Sequence, residues 1–188
     1  MPAPESVQVK SQRPIVIAGM HRSGTSFLTS CLARLGVSVG TDLLPADRGN
    51  PRGYFEDREF LALNRRILAA ATRDEPGHRD WGWTVSGFFA EHVADDFLSE
   101  ARSLVEARMV QGKPWAFKDP RTSLLLDFWQ RVFEPWGGGR YVLPYRFSWE
   151  VLQSIGRVGP VGGLHRPDWM LPIWCRYNSA LLDFHRRH

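Results

Sequence analysis

The chain has 188 residues, which is enough for one domain with a hydrophobic core. Its composition, 43% hydrophobic and 23% charged, excludes an intrinsically disordered chain. The formal net charge of +4 comes without a block of basic residues, so we expect no nucleic-acid partner, although an anionic ligand fits. Most basic residues are arginines, whose planar guanidinium favours bidentate contacts with phosphate or sulfate.

The number of cysteines and the length of the apolar runs indicate the cellular compartment of the protein. Cys31 and Cys175 are too few for a disulfide framework, and Cys31 falls on the apolar face of a predicted helix, where we expect a buried free thiol. The apolar run 15–20 is too short for a signal sequence or a membrane span. We therefore expect a cytoplasmic protein with no membrane partner.

The first predicted elements are a strand, a glycine loop and a helix. Residues 1–13 are polar and aperiodic and indicate a flexible arm, which leaves 14–188 as a single domain. The apolar run 14–18 predicts a buried parallel strand, and the loop 19–24 follows it. Apolar residues then recur at helical spacing from Phe27 to Leu35, before Gly36. This order is typical of the start of a doubly wound α/β domain.

The remaining elements are predicted from hydrophobic periodicity and from the positions of glycine and proline. Residues 42–54 and 73–87 are predicted to be irregular. Helices are predicted at 57–72, 88–110, 122–133, 148–157 (with Ser148 as N-cap) and 168–186. Two more strands are predicted at 115–117 and 140–145, although Pro144 cannot donate to a sheet ladder. The expected fold is a three-layer α/β/α domain with a parallel sheet and a ligand at the carboxyl ends of the strands.

The loop 19–24 has the features of an anion site. Gly19 and Gly24 let the backbone curl, and a helix N-terminus offers unpaired N–H groups and partial positive charge. Arg22 adds a full charge, and Ser23, Thr25 and Ser26 add hydroxyl groups. The alternative is a glycine turn with a solvated arginine.

The loop differs at one position from the loop that binds nucleoside triphosphates. The spacing matches the nucleotide loop Gly-x4-Gly-Lys-Ser/Thr, but Thr25 stands at the lysine position. Without that lysine, ATP-dependent phosphoryl transfer is less favoured. A P-loop kinase remains the rival, with Asp119 as its magnesium ligand.

The run His21-Arg22-Ser23-Gly24-Thr25-Ser26 resembles the 5′-phosphosulfate loop of the sulfotransferase family. The resemblance implies a P-loop NTPase-like sulfotransferase fold and 3′-phosphoadenosine 5′-phosphosulfate (PAPS) as donor. It implies metal-independent sulfonate transfer to a hydroxyl or amine of a small-molecule or carbohydrate acceptor. The donor-binding residues would be His21, Arg22, Ser23, Gly24, Thr25 and Ser26, and Arg22 would also steady the leaving oxygen.

A second match concerns the 3′-phosphate. The family has an arginine after a strand and a serine eight residues later, as Arg146 and Ser154 stand here. An arginine and a helix hydroxyl can clamp a phosphate monoester. The segments 52–57, 117–122 and 174–178 also resemble bacterial-type members, so the resemblance extends from about residue 14 to 180.

The reaction also needs a base that removes the proton from the acceptor group. Small-molecule members have Lys-Thr-His where this chain has Lys118-Asp119-Pro120, so the resemblance to carbohydrate-type members assigns Glu56 as base. Asp57 is its competitor, and both acids also suit the start of a helix. Lys118 would contact the sulfonate or remain a strand-end lysine, and Asp119 and Arg121 are an alternative structural ion pair.

Some functional questions stay open in the sequence. His78, His92 and His165 have no partner signal, and no Cys/His spacing indicates a metal site. Tryptophans 81, 83, 169 and 174 suit either an acceptor pocket or the core. Relatives usually continue beyond the last matched segment, so a non-catalytic binding domain is the third interpretation.

Overall fold

The computed structural model of the chain describes residues 13–72, 79–85, 91–109, 113–157 and 166–188. These residues contain three strands, which are β1 (Ile15–Ile17), β2 (Ala116–Lys118) and β3 (Arg140–Val142). They also contain the α-helices α1 (Thr25–Arg34), α2 (Arg58–Ala71), α3 (Glu91–Met109), α4 (Leu126–Phe133), α5 (Ser148–Gly156) and α6 (Pro167–Arg187).

The sheet is parallel, with strand order β2-β1-β3. Val16 at the centre of β1 aligns with Phe117 of β2 and Tyr141 of β3. Parallel strands end at the same edge of a sheet, so the segments that follow all three strands meet there. The mixed α/β class with a parallel sheet is therefore confirmed.

Helices cover both faces of the sheet. Val16 and Phe117 pack with Phe60 of α2 and Trp129 of α4 in the largest hydrophobic cluster. Ile17 and Ala116, which point the other way, pack with Leu32 and Ala33 of α1. Alternate strand residues thus bury against different helices, as expected for a sheet enclosed on both sides.

Several predicted boundaries need correction. The third strand ends at Val142 rather than residue 145, because Pro144 has no N–H for the ladder. The helix predicted from residue 122 begins at Leu126, since Pro120–Leu124 form a 3-10 turn that the Asp119 carboxylate caps through Arg121 N. Phe147, not Ser148, is the N-cap of α5.

Some predicted segments lie partly outside the described residues. Of the predicted arm at 1–13 only Arg13 is described, and it donates to the Gly138 and Gly139 carbonyls. The ends of the predicted helix 88–110 are not described either. Cys31 is free but only half-buried, so the expectation of a buried thiol was wrong, and Cys175 is exposed. In the described segments, no helix has the length and apolar character needed to cross a membrane.

Candidate functional site

The loop between β1 and α1 lies at the carboxyl end of the central strand. Gly24, the N-cap of α1, has φ 89° and gives the helix no side-chain cap. Arg22 also has a positive φ, 68°, which is costly for a residue with a Cβ. The loop thus presents the N-terminus of α1 uncapped by a side chain, and this end of a helix attracts anions.

Close packing against the segment after β3 explains the glycine at position 19. A Cβ there would lie 2.8 Å from Pro144 Cγ and 3.0 Å from the Pro144 carbonyl oxygen. It would also lie 3.0 Å from Thr25 Cγ2. Only glycine fits without displacing the loop.

Three residues assigned to the donor come together in space. The Arg22 guanidinium donates to Ser154 Oγ on α5 at 2.9 Å and to the Gly49 carbonyl at 2.9 Å. Arg146, which follows β3, donates to the Arg22 carbonyl at 3.0 Å. The first loop, the end of the third strand and α5 therefore form one basic cluster.

Residues 47–54, which we call the strap, lie against this cluster. The Asp47 carboxylate accepts from the Gly49 and Asn50 amides and from the Tyr54 hydroxyl at 2.7 Å. Burial, aided by Asp47, raises the pKa of Tyr54 to about 12, and the bond from Tyr54 lowers the pKa of Asp47. Asn50 donates to Ser26 Oγ at 3.2 Å, which joins the strap to the loop.

A buried ion cluster lies beneath the strap. Lys118 Nζ donates to Glu56 Oε1 at 2.6 Å, and Arg121 donates to Glu56 Oε2 at 2.7 Å. Lys118 also donates to the Tyr54 carbonyl at 3.1 Å and to Ser26 Oγ at 3.4 Å. Glu56, Lys118 and Arg121 are each at most 4% exposed, so these charges are paired away from bulk water.

Asp119 continues the cluster into the core. Arg121 Nε lies 2.9 Å from Asp119 Oδ1, and Asn64 donates to Asp119 Oδ2 at 2.8 Å. Desolvation raises the pKa of Asp119, against the pull of the neighbouring Arg121. Each Asp119 oxygen has two donors, since Arg121 N also donates to Oδ1 at 3.0 Å and Arg121 Nε to Oδ2 at 3.1 Å. This leaves no free lone pair and disfavours Asp119 as the magnesium ligand of a kinase.

His21 stands on the loop beside two aromatic rings. Its imidazole centroid lies 4.3 Å from that of Trp83 and 6.0 Å from that of Tyr177. Desolvation lowers its pKa well below the ordinary value, and the positive charges of Arg121, Lys118 and Arg22 act in the same direction. The imidazole is therefore neutral at neutral pH.

A cavity of about 530 Å³ joins these groups. Its wall includes the residues that the resemblance assigned to the site, except Ser23, namely His21, Arg22, Gly24, Thr25, Ser26, Glu56, Lys118, Arg146 and Ser154. Ser23 is buried. A second cavity of about 610 Å³, between β3 and the end of α6, contains none of them. The residues that the resemblance assigned therefore share one cavity.

Asp57, the rival base, has a different place. It caps α2 by accepting from Glu59 N and pairs with Arg108 at 3.0 Å. It is absent from the cavity wall, which Glu56 joins. The geometry therefore favours Glu56 over Asp57 as the acid that can meet a ligand.

Sequence reasoning did not give the strap or the link from Arg121 to Glu56 a role. Tyr54, Trp81 and Arg121 all line the cavity. The signal for Arg121 was its place in the turn that follows the end of β2. His78, His165 and the His92 side chain lie outside the described residues.

Within the described part of the chain, no three His, Cys, Asp or Glu side chains lie together as metal ligands would. Comparison with protein-family models, curated proteins and solved structures found no match to the chain.

Proposed function

We propose that this protein is a cytoplasmic, PAPS-dependent sulfotransferase with a P-loop NTPase-like fold. It would transfer sulfonate, without a metal, to a hydroxyl or amine on a small-molecule or carbohydrate acceptor. The main support is the meeting of Arg22, Arg146 and Ser154 beside an uncapped helix N-terminus. Two separate cations match a donor that carries anionic groups at two ends.

The donor would lie across the cavity. The 5′-phosphosulfate would occupy the loop, with Arg22 and the α1 amides as donors. The 3′-phosphate would lie between Arg146 and Ser154. Lys118, which already reaches Ser26 of the loop, would contact the sulfonate.

The reaction is an in-line displacement at sulfur. The acceptor oxygen or nitrogen forms a bond to sulfur, and the bond from sulfur to the bridging oxygen breaks. Its electron pair stays on the 5′-phosphate, which leaves as adenosine 3′,5′-bisphosphate. The acceptor proton goes to Glu56, whose oxygens each keep a lone pair beyond the bond to Lys118 or Arg121.

Calorimetry with adenosine 3′,5′-bisphosphate tests donor binding. We expect Arg22→Ala and Arg146→Ala each to weaken binding by roughly ten- to hundredfold, the value of a lost charge-assisted hydrogen bond. Arg34→Ala, an exposed change in the last turn of α1, is the control and should bind as wild type. Binding of magnesium ATP without binding of the bisphosphate would favour the kinase instead.

Transfer of labelled sulfonate to an acceptor panel tests the base. Glu56→Gln should slow transfer by roughly 10²- to 10⁴-fold, the usual contribution of a general base. Asp57→Asn keeps a capping side chain and should retain transfer while losing stability through Arg108. The reverse order of effects would make Asp57 the base. Donor binding without transfer would favour a non-catalytic domain.

A further inference from the structure

Arg121 is one of the largest fully buried side chains in the described residues, and this inference about it rests on the proposed function. A buried guanidinium is costly unless its donors are satisfied by anions. Arg121 has two such partners, Asp119 at 2.9 Å and Glu56 at 2.7 Å. Asp119 is a neighbour in sequence, whereas Glu56 is 65 residues away, so the second contact is a product of the fold.

A continuous hydrogen-bonded path fixes Arg121 from the core. Trp129 Nε1 donates to Asn64 Oδ1 at 2.9 Å, and Asn64 Nδ2 donates to Asp119 Oδ2 at 2.8 Å. Asp119 in turn pairs with Nε of Arg121, and a terminal nitrogen of the same guanidinium donates to Glu56. The orientation of the Glu56 carboxylate is thus set by α2 and α4, which are rigid parts of the core.

The two oxygens of Glu56 have unequal partners. Oε1 accepts from Lys118, which also donates to Ser26 in the first turn of α1. Oε2 accepts from Arg121, which is shared with a second buried carboxylate. Under the proposed function, a sulfonate bound at the loop would compete with Glu56 for Lys118, while the bond from Arg121 to Glu56 would stay in place.

We propose that Arg121 is the positioning residue that holds Glu56 toward the acceptor when the donor sulfonate draws Lys118 away. Arg121 acts through Glu56, because its guanidinium is 1% exposed and is already bound by Asp119 and Glu56. Its loss leaves Glu56 present but unaligned. The effect therefore falls on transfer and not on nucleotide binding.

Arg65 provides a matched control. Its guanidinium carbon lies 4.1 Å from the Trp81 ring centroid, and that of Arg121 lies 5.5 Å from the same centroid. Arg65 pairs with Asp80 at the surface, not with Glu56. Comparing Arg121→Gln with Arg65→Gln separates the contact to Glu56 from the contact to Trp81.

The experiment measures bisphosphate affinity and the rate of sulfonate loss from labelled donor, with the acceptor panel and with water as acceptor. We expect Arg121→Gln to bind the bisphosphate as wild type and to transfer sulfonate roughly ten- to hundredfold more slowly. Arg65→Gln should match wild type in both. The double variant Glu56→Gln/Arg121→Gln should be no slower than Glu56→Gln alone, since Arg121 acts through Glu56.

Arg121→Lys gives a readout that a merely structural role would not move. Lysine keeps a positive charge that can bind Glu56 Oε2, the oxygen that Arg121 contacts at 2.7 Å. We therefore expect Arg121→Lys to recover part of the transfer rate that Arg121→Gln loses, at the same bisphosphate affinity.

The outcomes are distinguishable. If Arg121→Gln binds and transfers like Arg65→Gln, or if its slowing multiplies that of Glu56→Gln, the positioning role is wrong while the sulfotransferase stands. If wild type binds no bisphosphate, or binds it and releases no sulfonate, the proposed enzyme is wrong and this role falls with it. If Arg121→Gln does not fold, Arg121→Lys decides by its transfer rate and its bisphosphate affinity.

Discussion

Two residues other than glycine have a positive φ in the described chain, and both adjoin the site. Arg22 has φ 68°, and its carbonyl accepts from Arg146. Phe55 has φ 57° and separates the Tyr54 carbonyl, which Lys118 contacts, from Glu56. Each conformation costs about 1–2 kcal/mol for an L-residue. Local strain therefore directs the groups that the proposed reaction uses.

His21 should make stability depend on pH. Its folded pKa is lowered, so below its unfolded value of about 6.5 the unfolded chain binds more protons than the folded chain. The contribution of His21 to the free energy of unfolding is therefore fully present above that pH and is lost as the pH falls toward the folded pKa. We expect a slope of at most about 1.4 kcal/mol per pH unit in urea unfolding between pH 7.5 and 5.

The variant His21→Phe keeps an aromatic ring beside Trp83 and should flatten this pH dependence. The cations that face His21 are Arg22, Lys118 and Arg121, and they are unchanged in the variant. His185→Gln, at the exposed end of α6, is the control and should keep the wild-type slope. Equal slopes in His21→Phe and wild type would contradict the assignment.

At the level of elements, contact between the anion loop and the segment after β3 can be tested at Gly19. Gly19→Ala places a Cβ 2.8 Å from Pro144 Cγ, so we expect a loss of about 1–3 kcal/mol in the free energy of unfolding and weaker bisphosphate binding. Gly156→Ala is the control, because no atom lies within 4 Å of its added Cβ at the end of α5. That change should stabilise the protein by roughly 0.5–1 kcal/mol. Similar losses in both variants would argue against the close packing at Gly19.

The sequence predicted elements better than their ends. The strand, loop and helix from residue 14 to 35 have apolar periods and glycine breaks that depend only on local residues. The start of α4 was wrong by four residues, because the Asp119 carboxylate caps a 3-10 turn that no period marks. Capping by a side chain is a local competition that hydrophobic patterns do not record.

Across the whole molecule, the site was predictable only as separate pieces. Arg22 and Ser154 are 132 residues apart, and Glu56 and Arg121 are 65 apart. The strand order β2-β1-β3 brings their segments to one edge, and sequence spacing does not fix that order. The resemblance supplied candidate residues, but the bond between Arg121 and Glu56 required the packed chain.

Ionic strength should affect ligand affinity more than it affects the stability of the fold. Arg146 is partly exposed and binds through charge, so raising ionic strength from about 0.05 to 0.5 M should weaken bisphosphate binding by roughly tenfold. The cluster of Glu56, Lys118 and Arg121 is buried and poorly screened, so the urea midpoint should change little. A midpoint that falls in step with affinity would contradict the separation.

The bond from Arg146 to the Arg22 carbonyl has a thermodynamic consequence for fragments of the ligand. It connects the site proposed for the 3′-phosphate to the backbone of the loop proposed for the 5′-phosphosulfate. A ligand that orders one of these two sites also preorganises the other. Two small anions, one at each site, would therefore bind with positive cooperativity, and each would raise the affinity of the other by the same factor. The fixed distance between the two sites would then select nucleotides whose anionic groups have the same separation.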